Sequence, residues 1–396
     1  MSKPAFFLFF LSYFTCLPFL TAQQALHLDS RVNTAFEERE PILSPDAQQL
    51  YFWRRESPIN VGGIYDPGDI WISQRDRYGE WQEAEHLSPP LNGAGHDFVW
   101  QVSPDQDTLW LNQNPPGVND VAPAYSHRLF DGRWSPPTRL HIRNISFKGQ
   151  YKDFFLTPER ILLLPNTTER GFGGSDLFIC FPINDTAWGR PINLGSVVNT
   201  EFDEDAPFLS PDGRTLYFNS NGHGGEGDHD IFVSRRLDDT WRNWSPPENV
   251  GPPINTRGYE FDFVITQDET EAYWCSDENS YGSNDIFYMD LTNCAVDIYP
   301  EGDQQVCIGQ TLTLEAGYIP ADELRFQWYK DGQLLSGATG KTLRITQSGE
   351  YQLYRLRDGC EATSEIKRVS FVPPPTAQVE SIGSCLEDSI RQNNGK

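Results

Sequence analysis

"APFLSPDGRTLYFNS" (residues 206–220) predicts a strand, a tight turn and a second strand. In the S-P-D-G turn, proline presets φ at the first corner, aspartate tolerates the second corner and glycine suits the exit. The following "LYF" (residues 216–218) is apolar at every position instead of at alternate ones. Such a strand is typical of a sheet that is buried on both faces.

Near-copies of this stretch recur along the chain. The Ser or Thr that opens each turn falls at Ser44, Ser103, Thr157, Ser210 and Thr266, with gaps of 59, 54, 53 and 56 residues. A repeat of this length holds about four strands, which predicts the blade of a β-propeller.

Each unit carries two further landmarks. One is a third strand that starts at an aspartate, found at Asp69, Asp176, Asp230 and Asp285 but missing from the second unit. The other is a Trp followed by a Leu or Val and then an Asn, as in Trp188, Leu194 and Asn199. Because the aspartates recur, we expect each of them to accept hydrogen bonds from loop amides at the start of its strand.

The fifth unit stops early, after "DIFYMDL" (residues 285–291). The missing strand stands near the start of the chain, where "ALHLDSRVNTAFEERE" (residues 25–40) matches "PINLGSVVNTEFDEDA" (residues 191–206). We therefore expect the N-terminal segment to complete the last blade and remove an exposed strand edge. The predicted fold class is all-β, with a five-bladed propeller over residues 24–293.

The units resemble the WD-repeat-like blades of TolB-type propellers, which occur in periplasmic and exported bacterial proteins. The resemblance rests on "SPDGRTLYF" (residues 210–218), "GGEGDHDIFVS" (residues 224–234) and "NVGPPINT" (residues 249–256). It implies a propeller that binds proteins or cell-envelope material.

A second domain is predicted over residues 294–372, where several segments alternate with period two. Trp328 and the "GEYQL" stretch around Tyr351 resemble the core Trp and the tyrosine corner of bacterial immunoglobulin-like modules. A Cys307–Cys360 disulfide is favoured over two free thiols, although the two strand ends could lie too far apart. Residues 373–396 read as a Pro-rich linker and the possible start of a further module.

Composition narrows the setting. The formal net charge of -25 disfavours nucleic acid as a partner. Residues 1–23, with the apolar run "AFFLFFLSYFTCLPFL" (residues 5–20), predict a signal peptide and an exported protein, in the periplasm, at the outer membrane or outside the cell. The sequence contains no second apolar run that would predict a transmembrane segment. It also contains no sequence fingerprint that would predict a bound cofactor.

Two groups of residues are candidates for a site. Glu38, Asp97, Glu204 and Glu260 each precede the turn Ser or Thr by six residues, and a hydrolase could pair two of them as acid and base. Their repetition favours a structural role instead. Blades two and three carry an aromatic and basic set that the other blades lack, which indicates either a recognition face or degenerate blades: His96, Trp100, His127, Lys148, Tyr151 and Lys152.

Asp228 and Asp230 lie in a glycine-rich loop and are weak candidates for metal ligands; the main expectation is that no metal is bound. The leading interpretation is a non-enzymatic binding or scaffold protein that recognises a protein or glycan of the cell envelope or surface. The alternative is a propeller enzyme that hydrolyses carbohydrate or peptide. A third possibility is a purely structural spacer within a larger surface protein.

Overall fold

The computed structural model describes residues 25–113, 123–145, 153–168, 171–292, 295–318, 325–357 and 360–374. Within these ranges the one helical element is a 3-10 turn at Gly63–Tyr65. The strands up to residue 290 are β1 (Leu26–His27), β2 (Glu37–Leu43), β3 (Gln49–Arg55), β4 (Asp69–Gln74), β5 (Glu85–His86), β6 (Asp97–Val102), β7 (Thr108–Gln113), β8 (Pro123–His127), β9 (Thr138–Arg139), β10 (His141–Ile142), β11 (Phe155–Leu156), β12 (Leu162–Asn166), β13 (Asp176–Cys180), β14 (Pro182–Asn184), β15 (Ala187–Trp188), β16 (Ile192–Asn193), β17 (Glu204–Leu209), β18 (Thr215–Ser220), β19 (Asp230–Arg235), β20 (Glu248–Asn249), β21 (Glu260–Ile265), β22 (Glu271–Ser276) and β23 (Asp285–Asp290).

The later strands are β24 (Ile298–Tyr299), β25 (Gln304–Cys307), β26 (Leu312–Ala316), β27 (Arg325–Lys330), β28 (Gln333–Leu334), β29 (Thr342–Ile345), β30 (Gly349–Arg357), β31 (Cys360–Thr363) and β32 (Lys367–Val372). The predicted signal peptide lies outside the described residues. No helix in the described ranges is long and apolar enough to cross a membrane.

The described residues from 25 to 290 form a five-bladed β-propeller, as predicted. Each blade is an antiparallel sheet of four strands, in the orders β2-β3-β4-β5, β6-β7-β8-β9, β11-β12-β13-β16, β17-β18-β19-β20 and β21-β22-β23-β1. The first strand of each blade is the innermost one. A small sheet in the order β10-β15-β14 lies beside the third blade.

The fifth blade takes its outer strand from the start of the propeller. Leu26 pairs with Tyr288 and His27 with Phe287. The side-chain amide of Asn33 donates to the carbonyls of Leu28 and Ile286, and its oxygen accepts from the Ile286 N–H at 2.9 Å. The same bridge recurs inside other blades, where Asn199 spans Leu177 and Asn255 spans Ile231.

Apolar clusters between neighbouring blades form the core. On β18, Leu216 and Phe218 point towards the third blade, whereas Tyr217 points towards the fifth. The second strand of the repeat therefore has no polar face, which explains the unbroken "LYF". Full burial of each such side chain stabilises the fold by about 1.5–3 kcal/mol.

The C-terminal domain is an immunoglobulin-like β-sandwich. One sheet has the order β24-β26-β29, and the other has the order β25-β32-β30-β27-β28 with β31 beside β30. Trp328 is fully buried between the sheets, and the Tyr351 hydroxyl donates to the Gln347 carbonyl at 2.8 Å. Cys307 ends β25, but the side chain of Cys360 lies outside the described residues, so their disulfide stays a prediction.

The sandwich contacts the propeller through a small polar and aromatic seam. The hydroxyls of Tyr318 and Tyr217 lie 2.7 Å apart and are buried. The Lys341 ammonium donates to the Val250 carbonyl at 2.7 Å. The second domain therefore rests on the fourth and fifth blades.

Candidate functional site

Three acidic side chains meet at the propeller axis. They occupy the position four residues before the turn Ser or Thr, which holds Glu40, Asp153 and Asp262 in the first, third and fifth blades. The second and fourth blades have Val99 and Ala206 there. We call Glu40, Asp153 and Asp262 the axial acids. The repeat thus carries an acid at this position in three blades of five.

A local irregularity of the inner strand positions two of these acids. The ladder between β2 and β3 shifts register between Arg39 and Ile42, and the β21–β22 ladder shifts between Phe261 and Val264. Glu40 and Asp262 lie in these bulges with φ of 54° and 57°. A bulge turns a side chain away from its regular direction, and bulges are common next to active sites. Positive φ in a non-glycine residue costs of order 1–3 kcal/mol.

Glu40 and Asp153 are neighbouring acids at the propeller axis. Glu40 Oε2 and Asp153 Oδ1 are buried and receive no hydrogen bond from a donor among the described residues. Burial raises the pKa of Glu40 well above its usual range, and the charges of Asp153 and Asp262 and a hydrogen bond with Asp153 raise it further. The neighbouring Asp153 carboxyl group therefore disfavours ionisation of Glu40.

Asp262 is the axial acid with donors around it. Its Oδ2 accepts from the backbone N–H of Glu40 at 3.2 Å and lies 3.7 Å from Arg39 Nε. Burial and the charge of Asp153 raise the pKa of Asp262 to about 7, while Arg39 opposes that rise. The Arg39 guanidinium lies 3.8 Å from the centroid of the Phe261 ring, which holds it in place. Asp262 therefore has a hydrogen-bond donor and a cation beside it that favour its ionised form.

The axial acids line a cavity of about 970 Å³ along the propeller axis. Its walls include Trp100, Phe154, Phe208 and Phe263, and its far end is formed by the turns between the first and second strands of all five blades. This volume is at the upper end of the range for small-molecule sites, about 300–1,000 Å³. The site thus combines apolar walls with a few convergent carboxyl groups.

The repeated acids have a different environment. Glu204 accepts from the Thr200 N–H and hydroxyl at 2.7 Å each and from the Ser220 hydroxyl at 2.9 Å. Glu260 repeats this pattern with Thr256 and Ser276. Glu38 Oε1 accepts from Arg54 Nε at 2.6 Å, where Glu204 and Glu260 accept from a serine. Asp97 accepts from the Gly93 N–H. These carboxylates tie each inner strand to the preceding loop, which is the structural role predicted for them.

The predicted recognition face is dispersed in the structure. Trp100 is buried and lines the cavity, His96 is buried against Trp53 and Phe98, and His127 lies exposed at the end of β8. Lys148, Tyr151 and Lys152 lie outside the described residues. A common role for the six residues stays a prediction, and Trp100 alone among the three described ones contributes to the cavity.

The weak metal candidates have structural partners. Asp230 Oδ2 accepts from the Glu226 N–H at 2.9 Å and from the Asn249 amide at 3.1 Å, and Asp228 is exposed. Among the residues that the structure describes, no group of three His, Cys, Asp or Glu side chains could hold a metal ion. Asp230 therefore anchors its loop, as its counterparts Asp69, Asp176 and Asp285 do.

Sequence reasoning missed the axial acids because it searched for repetition. An alignment of the five units on the turn Ser or Thr shows an acid in only three of them at the fourth preceding position. That asymmetry was available in the sequence. The bulges bring these side chains together, however, and the pattern of apolar and polar residues in the strands does not predict the bulges.

Comparison with known proteins changes the functional interpretation. No family model and no curated protein matches the chain. The alpha-L-arabinofuranosidase of Lactobacillus brevis is similar in structure, with 10% identity, a TM-score of 0.44 and coverage of 67% of this chain and 92% of that one. A structure described as a glycoside hydrolase matches with 8% identity, a TM-score of 0.47 and coverage of 68% and 90%.

A third structure covers more of the chain. The beta-fructofuranosidase of Schwanniomyces occidentalis, in complex with fructosyl-erythritol, has 7% identity and a TM-score of 0.44, and the match covers 88% of this chain and 92% of that one. All three of these proteins are glycosidases or glycoside hydrolases by description.

Two predictions are therefore wrong. The TolB-type, WD-repeat-like assignment has no support from a family model, and the three similar structures named above are described as glycosidases or glycoside hydrolases. The prediction of a non-enzymatic binding or scaffold protein fails on the same finding. That prediction relied on the repetition of Glu38, Asp97, Glu204 and Glu260 and did not consider the axial acids.

Proposed function

We propose that this protein is a glycoside hydrolase whose catalytic groups are Glu40, Asp153 and Asp262. The observation that carries the proposal is the meeting of three carboxyl groups from three different blades, one of them with a raised pKa, at the wall of an axial cavity. Hydrolysis of a glycosidic bond uses one carboxylic acid and one carboxylate on either side of that bond. The axial acids supply both forms.

Glu40 suits the role of general acid. Because its pKa is raised, it keeps a proton that it can donate to the leaving oxygen as the bond to the anomeric carbon breaks. Asp153 lies against it, disfavours its ionisation and accepts the shared hydrogen bond. After the sugar leaves, a proton from water restores Glu40.

Asp262 suits the role of the second carboxylate. Above about pH 7 it is ionised, and the Glu40 N–H and the Arg39 guanidinium stabilise its charge. It either accepts a proton from the attacking water or attacks the anomeric carbon itself. In both cases the net reaction adds hydroxide to the sugar and a proton to the leaving alcohol.

We include export in the proposal. The apolar run over residues 5–20 predicts passage across the inner membrane, which would bring the enzyme to polysaccharides outside the cytoplasm.

A substrate panel tests the proposal. Wild type, Glu40→Gln and the exposed-site control Glu201→Gln are incubated with 4-nitrophenyl glycosides and with polysaccharides, and released nitrophenol and reducing ends are measured. We expect turnover by wild type and by the control, and a loss of about 10²- to 10⁴-fold in Glu40→Gln. Absence of release by wild type from every substrate, or full activity of Glu40→Gln, would overturn the proposal.

A further inference from the structure

The axial cavity opens at the face formed by the turns between the first and second strands. At its inner end, Glu40 and Asp262 are buried. At its other end, Asp105, Glu159 and Asp212 line the cavity and are exposed. A cavity whose lining passes from buried to exposed residues has its mouth at the exposed end, so a ligand can reach the axial acids from the turn face.

The lining of this cavity is strongly acidic. Six of its residues are carboxylic acids, namely Glu40, Asp105, Asp153, Glu159, Asp212 and Asp262, and one is basic, Arg160. A cleft lined by charges of one sign focuses the field and repels ligands of that sign. The net charge of the chain, -25, adds to the same potential.

Arg160 is committed to structural contacts. Its Nη2 donates to the Asp185 carbonyl. Its guanidinium carbon lies 5.4 Å from the Trp110 ring centroid and 5.6 Å from that of Trp188, within reach of cation–π attraction. Within the described part of the cavity, a bound anion therefore meets carboxylates and aromatic rings but no uncommitted cation.

We propose that the cavity accepts the end of an uncharged glycan, which enters between the turns, and that it discriminates against glycans that carry uronic acid or sulfate groups. This inference rests on the proposed function for its choice of sugar. Trp100, Phe154, Phe208 and Phe263 supply apolar surface for the carbon–hydrogen faces of a sugar ring. The acidic rim of Asp105, Glu159 and Asp212 sets the charge preference.

The rim residues can be neutralised without removal of their local hydrogen bonds. Asp105 accepts from the Ser103 hydroxyl at 2.5 Å, and Asp212 accepts from the Arg214 and Thr215 N–H groups. An Asn side chain keeps one acceptor oxygen at each position. The variant Asp105→Asn/Glu159→Gln/Asp212→Asn therefore removes three charges and keeps the turns.

The test uses binding, so that it does not depend on turnover. Ligand-observed NMR measures the dissociation constants of paired 4-nitrophenyl glycosides that differ by one carboxylate: glucoside with glucuronide, and galactoside with galacturonide. The background is Glu40→Gln, which keeps the probes intact. The matched control is Asp131→Asn/Glu201→Gln/Asp239→Asn, which removes the same charge at exposed positions outside the cavity.

We expect the Glu40→Gln protein with an unchanged rim to bind at least one neutral glycoside. It should bind the acidic counterpart of that glycoside at least tenfold more weakly. The rim variant should narrow that ratio by about three- to eightfold at low salt, since each charge at about 10 Å in water contributes roughly a factor of two. The control should leave the ratio unchanged.

Preference for the acidic probe, absence of binding to any neutral probe, or an unchanged ratio in the rim variant would overturn this inference. Selective binding of neutral glycosides by a protein that releases no nitrophenol would support the inference and overturn the proposed hydrolase function. The two failures are therefore distinguishable.

Discussion

Glu38 and Glu40 lie two residues apart on β2, and both are buried, yet their surroundings are opposite. Glu38 accepts from the Thr34 N–H and hydroxyl and from Arg54 Nε. The Glu40 carboxyl group has no donor for Oε2 among the described residues, and a second acid lies beside it. The first arrangement recurs in other blades, whereas the second occurs once.

The difference separates structural acids from catalytic ones. A buried carboxylate with all its hydrogen bonds made stabilises the fold, and a repeat can copy it. A buried acid with a raised pKa and an acidic neighbour costs stability and persists where chemistry needs it. On this basis a substitution should damage either stability or activity, but not both, according to which kind of acid it removes.

The largest effect is expected from a pair on β21. Asp262→Asn should lower kcat by about 10²- to 10⁴-fold, because the second carboxylate is lost, without lowering Tm. Glu260→Gln should do the reverse and cost about 1–3 kcal/mol of unfolding free energy, since its amide NH₂ group meets the donors of Thr256 and Ser276. Steady-state kinetics and thermal melts of both variants test these two expectations. If Asp262→Asn lowered Tm and Glu260→Gln did not, the division between structural and catalytic acids would be contradicted.

The next effect concerns the N-terminal segment that closes the fifth blade and leads into the first. Asn33→Ala removes three buried hydrogen bonds to Leu28 and Ile286 and should cost about 2–3 kcal/mol. Because Glu40 and Asp262 face each other between the first and fifth blades, activity should fall as well. Asn199→Ala loses a similar bridge inside the third blade and should cost as much stability with normal activity. Equal activity of Asn33→Ala and Asn199→Ala would show that closure of the fifth blade does not position the axial acids.

A smaller effect follows from the ionisation of Asp262. Its pKa is about 7 in the folded protein and 3.8 for an exposed aspartate. Between these values the folded state keeps a proton that the unfolded chain has released, so stability falls as pH rises from about 4 to 7. Asp262→Asn has no carboxyl group at this position and therefore does not lose this stability. The difference between its Tm and that of wild type should rise from about pH 4 to pH 7 and then stay constant.

The exposed-site control for this pH series is Asp239→Asn, whose difference from wild type should be independent of pH because Asp239 is 86% exposed. The activity of wild type should also rise with pH through about 7, as Asp262 becomes the ionised partner of Glu40. A stability difference that shrinks over the window would contradict the raised pKa.

The smallest effect tests whether repeated positions are interchangeable. His27 Nε2 lies 2.5 Å from Asp285 Oδ2, in the place where Asn193 and Asn249 donate to Asp176 and Asp230. His27→Asn should therefore change the unfolding free energy by less than about 1 kcal/mol. A loss of more than 2 kcal/mol, measured by denaturant unfolding, would show that the closing blade has requirements of its own.

The fold was predictable from the sequence because its determinants repeat. The turn around Ser210, the apolar strand at Leu216 and the Asn33 bridge each have counterparts elsewhere in the chain, so one unit explains the others. The site was not predictable in the same way. Asp153 and Asp262 are far apart in the chain, and only ring closure and the bulges bring them to Glu40.

The most direct test of this account is the ratio of the hydrolysis rates of Glu40→Gln and Glu204→Gln on one glycoside, each divided by its folded fraction. The account predicts that Glu40→Gln is at least a hundredfold slower, although Glu204→Gln is the less stable protein. Equal rates, or a slower Glu204→Gln, would contradict the division between axial and repeated acids.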